Sequence, residues 1–140
     1  MTPQLSEQQR TTLAAVADVV IPATETMPAA SEVQLHRRWI DKSLAARPDL
    51  LEPLLALLER AAGAEPADAV AAHAREAPEA FEDVLLLITC SYYMNPKVRK
   101  RLSYPGQKAK PPYPDEADYY LRDGLLDPVI ERGPIYAVAD

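Results

Sequence analysis

The sequence predicts an all-α fold: a compact bundle of about five helices followed by a Tyr/Pro-rich, largely irregular C-terminal segment. Three observations predict it. With 48% hydrophobic residues in 140, the chain can bury a core. Its 4 glycines stand amid abundant alanine and leucine, which favours helix over strand. Apolar residues recur at helical spacing in successive stretches bounded by capping residues or prolines. This length suits a single domain, with a helical part over 1–103 wrapped by 104–140.

The first helix is announced by Ser6 with Gln9 three residues on, the spacing of a capping box. Leu13, Val16, Ala17 and Val20 then form one apolar stripe. Pro22 ends it, because the residue before a proline is pushed out of the helical region. After a loop over Ala23 to Ala30, Ser31 with Gln34 repeats the capping signal for a second helix. There Val33, Ile40 and Leu44 share a face, with Leu35 and Trp39 beside them. His36, Arg37 and Arg38 interrupt that pattern, so His36 reads as a partly exposed helical residue.

Asp49 is the expected N-cap of a third helix, with Glu52 at N3 and Pro53 tolerated in the first turn. Leu50, Leu51, Leu54, Leu55, Leu57, Leu58 and Ala61 give it a broad apolar face, and Gly63 is its expected C-cap. A fourth helix runs from Glu65-Pro66 to about Glu76. It is rich in alanine and poor in large apolar residues, so it is expected to be short and peripheral. Pro78 leads into the fifth. Phe81, Val84, Leu85, Leu86, Leu87, Ile88 and Cys90 leave it no polar face after Asp83, the pattern of a buried central helix, with Cys90 as a small core residue.

That helix changes character at Tyr92-Tyr93-Met94. Asn95-Pro96 breaks it, a basic turn follows, and Tyr104-Pro105-Gly106 stops the turn. From Lys97 to Lys110 there are six basic residues and no acidic one. The last 37 residues hold five of the seven tyrosines and six of the 14 prolines, with short helices expected around Ala117–Leu121 and Pro128–Arg132. So many aromatic rings are incompatible with a solvated tail and call for an apolar surface to lie on. Tyr92 is assigned to the core, and Tyr104, Tyr113 and later tyrosines to a partner.

Several function classes find no support. The net charge of −6 argues mildly against a protein devoted to nucleic acid, and the basic cluster reads better as a solvated helix or a contact for an acidic partner surface. One cysteine excludes an internal disulfide, and two histidines with one cysteine show no metal-ligand spacing. The glycines are isolated, so no phosphate-binding loop is written here. Glu82 and Asp83 are adjacent on a helix and so point apart; they suit the helix dipole better than paired acid–base work. Val84 to Ile88 is too short a run to cross a bilayer. No secretory signal is visible at the start, which suggests a cytoplasmic protein, or a periplasmic one if a signal was trimmed or a partner carries it out. Two rivals stay open. One is a self-contained helical enzyme using Tyr92, Asp83 and His36; the other is a nucleic-acid or regulatory module using Lys97 to Lys110.

The motifs also carry a family resemblance. Leu5-Ser6, Leu13-Ala14-Ala15-Val16-Ala17-Asp18 and Ile21-Pro22-Ala23, then Trp39, Tyr92-Tyr93, Pro96 and Leu102-Ser103-Tyr104-Pro105-Gly106, resemble the small (gamma) subunit of gluconate 2-dehydrogenase, the subunit 3 family. The likeness covers the first helix and about Phe81 to Gly106; from about Arg47 to Pro78 it is generic helix. The chain departs from it by lacking a twin-arginine export signal and by having Ser103 where a glycine is usual. The resemblance implies a non-catalytic accessory subunit that binds no cofactor itself. Its partner would be a large FAD-dependent, GMC-type dehydrogenase subunit acting on a sugar, glycoside or alcohol and passing electrons to a cytochrome or another acceptor. Neither nucleic acid nor membrane insertion enters that reading. The expected partner surface is Trp39, Tyr93, Met94, Arg99, Tyr104, Pro105, Tyr113, Tyr119 and Tyr120.

Overall fold

Ser6 caps α1 (Glu7–Val20) as its spacing predicts. Its hydroxyl accepts from the Gln9 amide while the Gln9 side chain accepts from the Ser6 amide. Pro22 drives Ile21 to φ −129° and ψ 80°, and the helix ends there. The computed structural model to which these elements belong describes residues 5–108 and 122–135. The chain forms two units, Met1–Gly106 and Gln107–Asp140. Among the described residues it is helical, with no strand.

In the first unit α1 is followed by α2 (Ile40–Ala46), α3 (Leu51–Ala61), α4 (Pro66–Glu76), α5 (Pro78–Tyr93) and α6 (Pro96–Arg101). α5 packs against α2, α3, α4 and α6, while α1 closes the opposite side on α3 and α4. Leu13, Val16, Leu44, Leu54, Leu57, Val84, Leu87 and Ile88 from these helices meet in one core. The side-chain spacing written in the sequence thus places α5 at the hub, as its apolar run predicts.

Four local expectations are corrected. Ser31 and Gln34 do not cap a helix. The Asp18 carboxylate accepts from both the Ser31 amide (2.7 Å) and hydroxyl (2.6 Å), which ties Ser31 back to α1. Gln34 sits in the left-handed region at φ 55°, and a turn over Leu35–Trp39, kinked at Arg37 (φ −107°, ψ −121°), precedes α2. Asp49 does not cap α3 either; it chelates the Arg47 guanidinium at 2.6–3.1 Å, and a 3₁₀ turn, Pro48–Leu50, leads into the helix. Gly63 does take the expected left-handed conformation past the end of α3, at φ 77°.

The third correction is α4, which is not peripheral. It runs 11 residues against α1, α3 and α5, because small Ala69 permits close approach and His73, 3% exposed, fills the space a large apolar residue would. The fourth is the outer face of α5. Val84, Leu87, Ile88, Ser91 and Tyr92 are buried, but Leu86 (46% exposed), Cys90, Tyr93 and Met94 face outward. The helices packed on α5 leave one side of it uncovered, so an all-round apolar sequence leaves a stripe in solvent.

In the second unit the expected turn near Pro128–Arg132 is α7 (Asp127–Arg132), ended by Gly133 at φ 70°. Leu125, Val129, Ile130 and Ile135 are exposed. The helix expected at Ala117–Leu121 lies outside the described residues.

Candidate partner-binding groove

The C-terminal end of α5 is where the site is assembled. Tyr92 turns inward, and its hydroxyl donates to the Pro28 carbonyl at 2.6 Å. Burial pushes that phenol above its usual pKa, with Tyr93 and Glu32 adding to the shift, so it stays a neutral donor. Asn95 is also buried. Its Nδ2 donates to the Val33 carbonyl (2.8 Å) and its Oδ1 caps α6 through the Lys97 amide (2.9 Å). These two side chains fix the long loop over residues 22–34 and aim α6. Sequence reading passed over Asn95, although an Asn-Pro pair at a helix start is a capping signal.

Facing outward, Tyr93 (50% exposed) and Met94 leave α5 beside Trp39 of the kinked turn. Arg99 of α6 and Tyr104 (52% exposed) close the far side. With Arg38, Lys42, Cys90 and Pro96 these residues line one open groove of about 880 Å³. Pro105 lines a smaller hollow that shares Pro96, Arg99 and Tyr104 with it. The structure therefore brings Trp39, Tyr93, Met94, Arg99 and Tyr104 to one surface with Pro105 alongside. Tyr113, Tyr119 and Tyr120 lie outside the described residues.

The charged residues that line this groove are Arg38, Lys42 and Arg99. Lys42 Nζ stands 5.1 Å and the Arg38 guanidinium 5.6 Å from the Trp39 ring centre, both over its face. Among the described residues no carboxylate pairs with Arg38, Lys42 or Arg99, and Arg99 Nε is buried without an acceptor. Other arginines do find carboxylates: Arg10 meets Asp41, Arg37 meets Glu7, Arg47 meets Asp49 and Arg60 meets Glu76. In a chain of net charge −6, unpaired cations gathered on an apolar groove describe a surface complementary to acid.

The other named groups occupy separate neighbourhoods. His36 lies beside Arg10 and Arg37, and burial followed by those cations holds it below its usual pKa. The Tyr92 hydroxyl is committed to Pro28, and Asp83 lies near enough to Arg47 to favour its charge. His73 is likewise held neutral, by burial first and then by Arg60, with its ring edge-on to Phe81 at 6.3 Å. Among the described residues there is no cluster of three metal-ligating side chains, and no helix is long and apolar enough to cross a membrane. No protein-family model, curated protein or solved structure matches the chain.

Proposed function

We propose that this chain is the non-catalytic small subunit of a heteromeric FAD-dependent, GMC-type dehydrogenase acting on a sugar, glycoside or alcohol. It stabilises the flavoprotein subunit by covering part of its surface. The flavin and the acid–base chemistry belong to that larger partner. The observation that carries the reading is the groove: five aromatic, apolar or basic side chains converge on one open surface whose cations have no carboxylate partner among the described residues. The resemblance of the α1 and α5–α6 motifs to the gluconate 2-dehydrogenase small subunit supplies the kind of partner.

Physically, the complex would form by removing Trp39, Tyr93, Met94 and Tyr104 from water while partner carboxylates meet Arg38, Lys42 and Arg99. Apolar burial contributes about 25 cal/mol per Å2 before association entropy is subtracted. The experiment is affinity capture of the tagged chain from its native host, with an absorbance spectrum of the eluate. A co-purifying larger chain with flavin bands is expected, and the double variant Tyr93→Ala/Arg99→Glu should lose it. A colourless, stable monomer from the wild-type capture would overturn the reading.

A further inference from the structure

A second hollow lies between α2 and the outer face of α5. Ser43, Ala46, Leu50, Leu86, Leu87 and Cys90 line most of it, completed by Lys42, Arg47 and Met94. Lys42, Cys90 and Met94 also line the groove, so the two adjoin. Its volume is about 250 Å³. Small-molecule and cofactor sites run to roughly 300–1,000 Å³, so this space falls short of that class. It matches on the order of eight waters at ~30 Å³ each, the bulk of one large side chain.

Water in this hollow is poorly held. Leu50, Leu86 and Leu87 offer it nothing. The Ser91 hydroxyl donates to the Leu87 carbonyl at 2.7 Å, so in the 2.7 Å contact between the two hydroxyls Ser43 must be the donor. The Ser43 proton is therefore committed inward. Arg47 is held by Asp49, but Lys42 at the junction, with Arg38 and Arg99 across the groove, has no carboxylate among the described residues. An apolar group entering here releases loosely held water, and anionic neighbours on the same ligand meet unpaired cations.

We propose that this hollow is the anchoring socket of the partner interface. It receives one large apolar side chain, Leu, Met or Phe, from a segment of the partner protein whose flanking residues are Asp or Glu. This rests on the reading of the groove as a protein-binding surface and adds to it the chemistry of the segment that binds. A few side chains seated in well-packed, desolvated pockets carry most of the affinity of protein interfaces.

Cys90, the one cysteine, is exposed in the socket wall and serves as a built-in reporter. Three probes are offered as mixed disulfides with 2-mercaptoethanol: a phenyl-bearing mercaptocarboxylic acid, its phenyl-bearing mercaptoamine counterpart, and a mercaptocarboxylic acid without the ring. Exchange joins the probe sulfur to Cys90 Sγ and releases 2-mercaptoethanol. Intact mass then gives the equilibrium ratio at fixed free thiol. The phenyl carboxylate should exceed both others by about tenfold. Leu86→Glu should abolish the preference for the ring, and Lys42→Glu the preference for the carboxylate. Equal ratios for all three probes, or selectivity unchanged in Leu86→Glu, would overturn the proposal.

Capture from the native host separates this inference from the reading beneath it. If Leu86→Glu protein with wild-type melting still retains a flavoprotein, the socket is not the anchor although the partner reading stands. If probe selectivity holds while the wild type captures no flavoprotein, the socket stands and the flavoprotein reading falls. Concentration-dependent dimerisation abolished by Leu86→Glu would assign the socket to a second copy and overturn the proposal.

Discussion

The two sides of the Leu35–Trp39 turn use the same chemistry in opposite ways. On one side the Arg10 guanidinium donates to the His36 carbonyl (2.9 Å), reaches the Arg37 carbonyl (3.5 Å) and pairs with Asp41 (2.9 Å). A forked cation from α1 thus braces the turn through the His36 carbonyl, while the Arg37 carbonyl also accepts from the Ile40 amide. On the other side Arg38 and Lys42 lie over the Trp39 ring and face the groove without a carboxylate among the described residues. The closed side shows what this chain does with a cation it needs for folding. The open side shows cations that folding does not consume.

That contrast can be broken experimentally, first within α5. Ile88→Ala, at a position with no exposure, should cost about 3 kcal/mol in urea unfolding, whereas Leu86→Ala one turn-face away should change stability by less than ~0.5 kcal/mol. Comparable losses at both would mean that the outer stripe is part of the fold. Next, Arg10→Met should cost about 2 kcal/mol, since it removes the donor to the His36 carbonyl and the partner of Asp41, the latter partly exposed and so less penalised. Arg99→Met should stay within about 0.5 kcal/mol. A large loss for Arg99→Met would make the groove cation structural.

The smallest effect is a dependence on pH. His36 and His73 have folded pKa values lowered below the unfolded ~6.5, so the unfolded chain binds more protons between those values. Their contribution is complete above the unfolded pKa and is lost as pH falls from there through the lowered folded values. Urea midpoints should therefore drop over that range, and His73→Leu should flatten the drop. An unchanged pH profile in His73→Leu would show that burial does not hold this imidazole neutral.

The helices were legible because each has a local signature: Ser6 with Gln9, Ile21 before Pro22, Pro66 and Pro78 at first turns, Gly63 past the end of α3. The misreadings share a cause, an interaction that is not local. Ser31 looks like a cap until Asp18, 13 residues earlier, takes its hydroxyl. Cys90 looks buried until the neighbours of α5 prove too few to cover all sides. His73 gave no signal because its burial depends on how closely alanines let α4 approach. The groove was half legible. Its residue types could be named, but that Trp39 would stand beside Tyr93, Met94 and Tyr104 depended on the turn before α2, which no periodicity announces.

The hydrogen bonds from Tyr92 to Pro28 and from Asn95 to Val33 join positions 64 and 62 residues apart. On a ribosome adding roughly 5–20 residues per second, the loop after α1 is therefore made several seconds before the side chains that secure it. During that interval Leu35 and Ile40, fully buried in the finished molecule, have no core to enter. The nascent first third must be kept from other apolar chains until residue 95 has emerged. A mutation at Asn95 should thus reduce yield during synthesis more than it lowers the melting point of the protein that does mature.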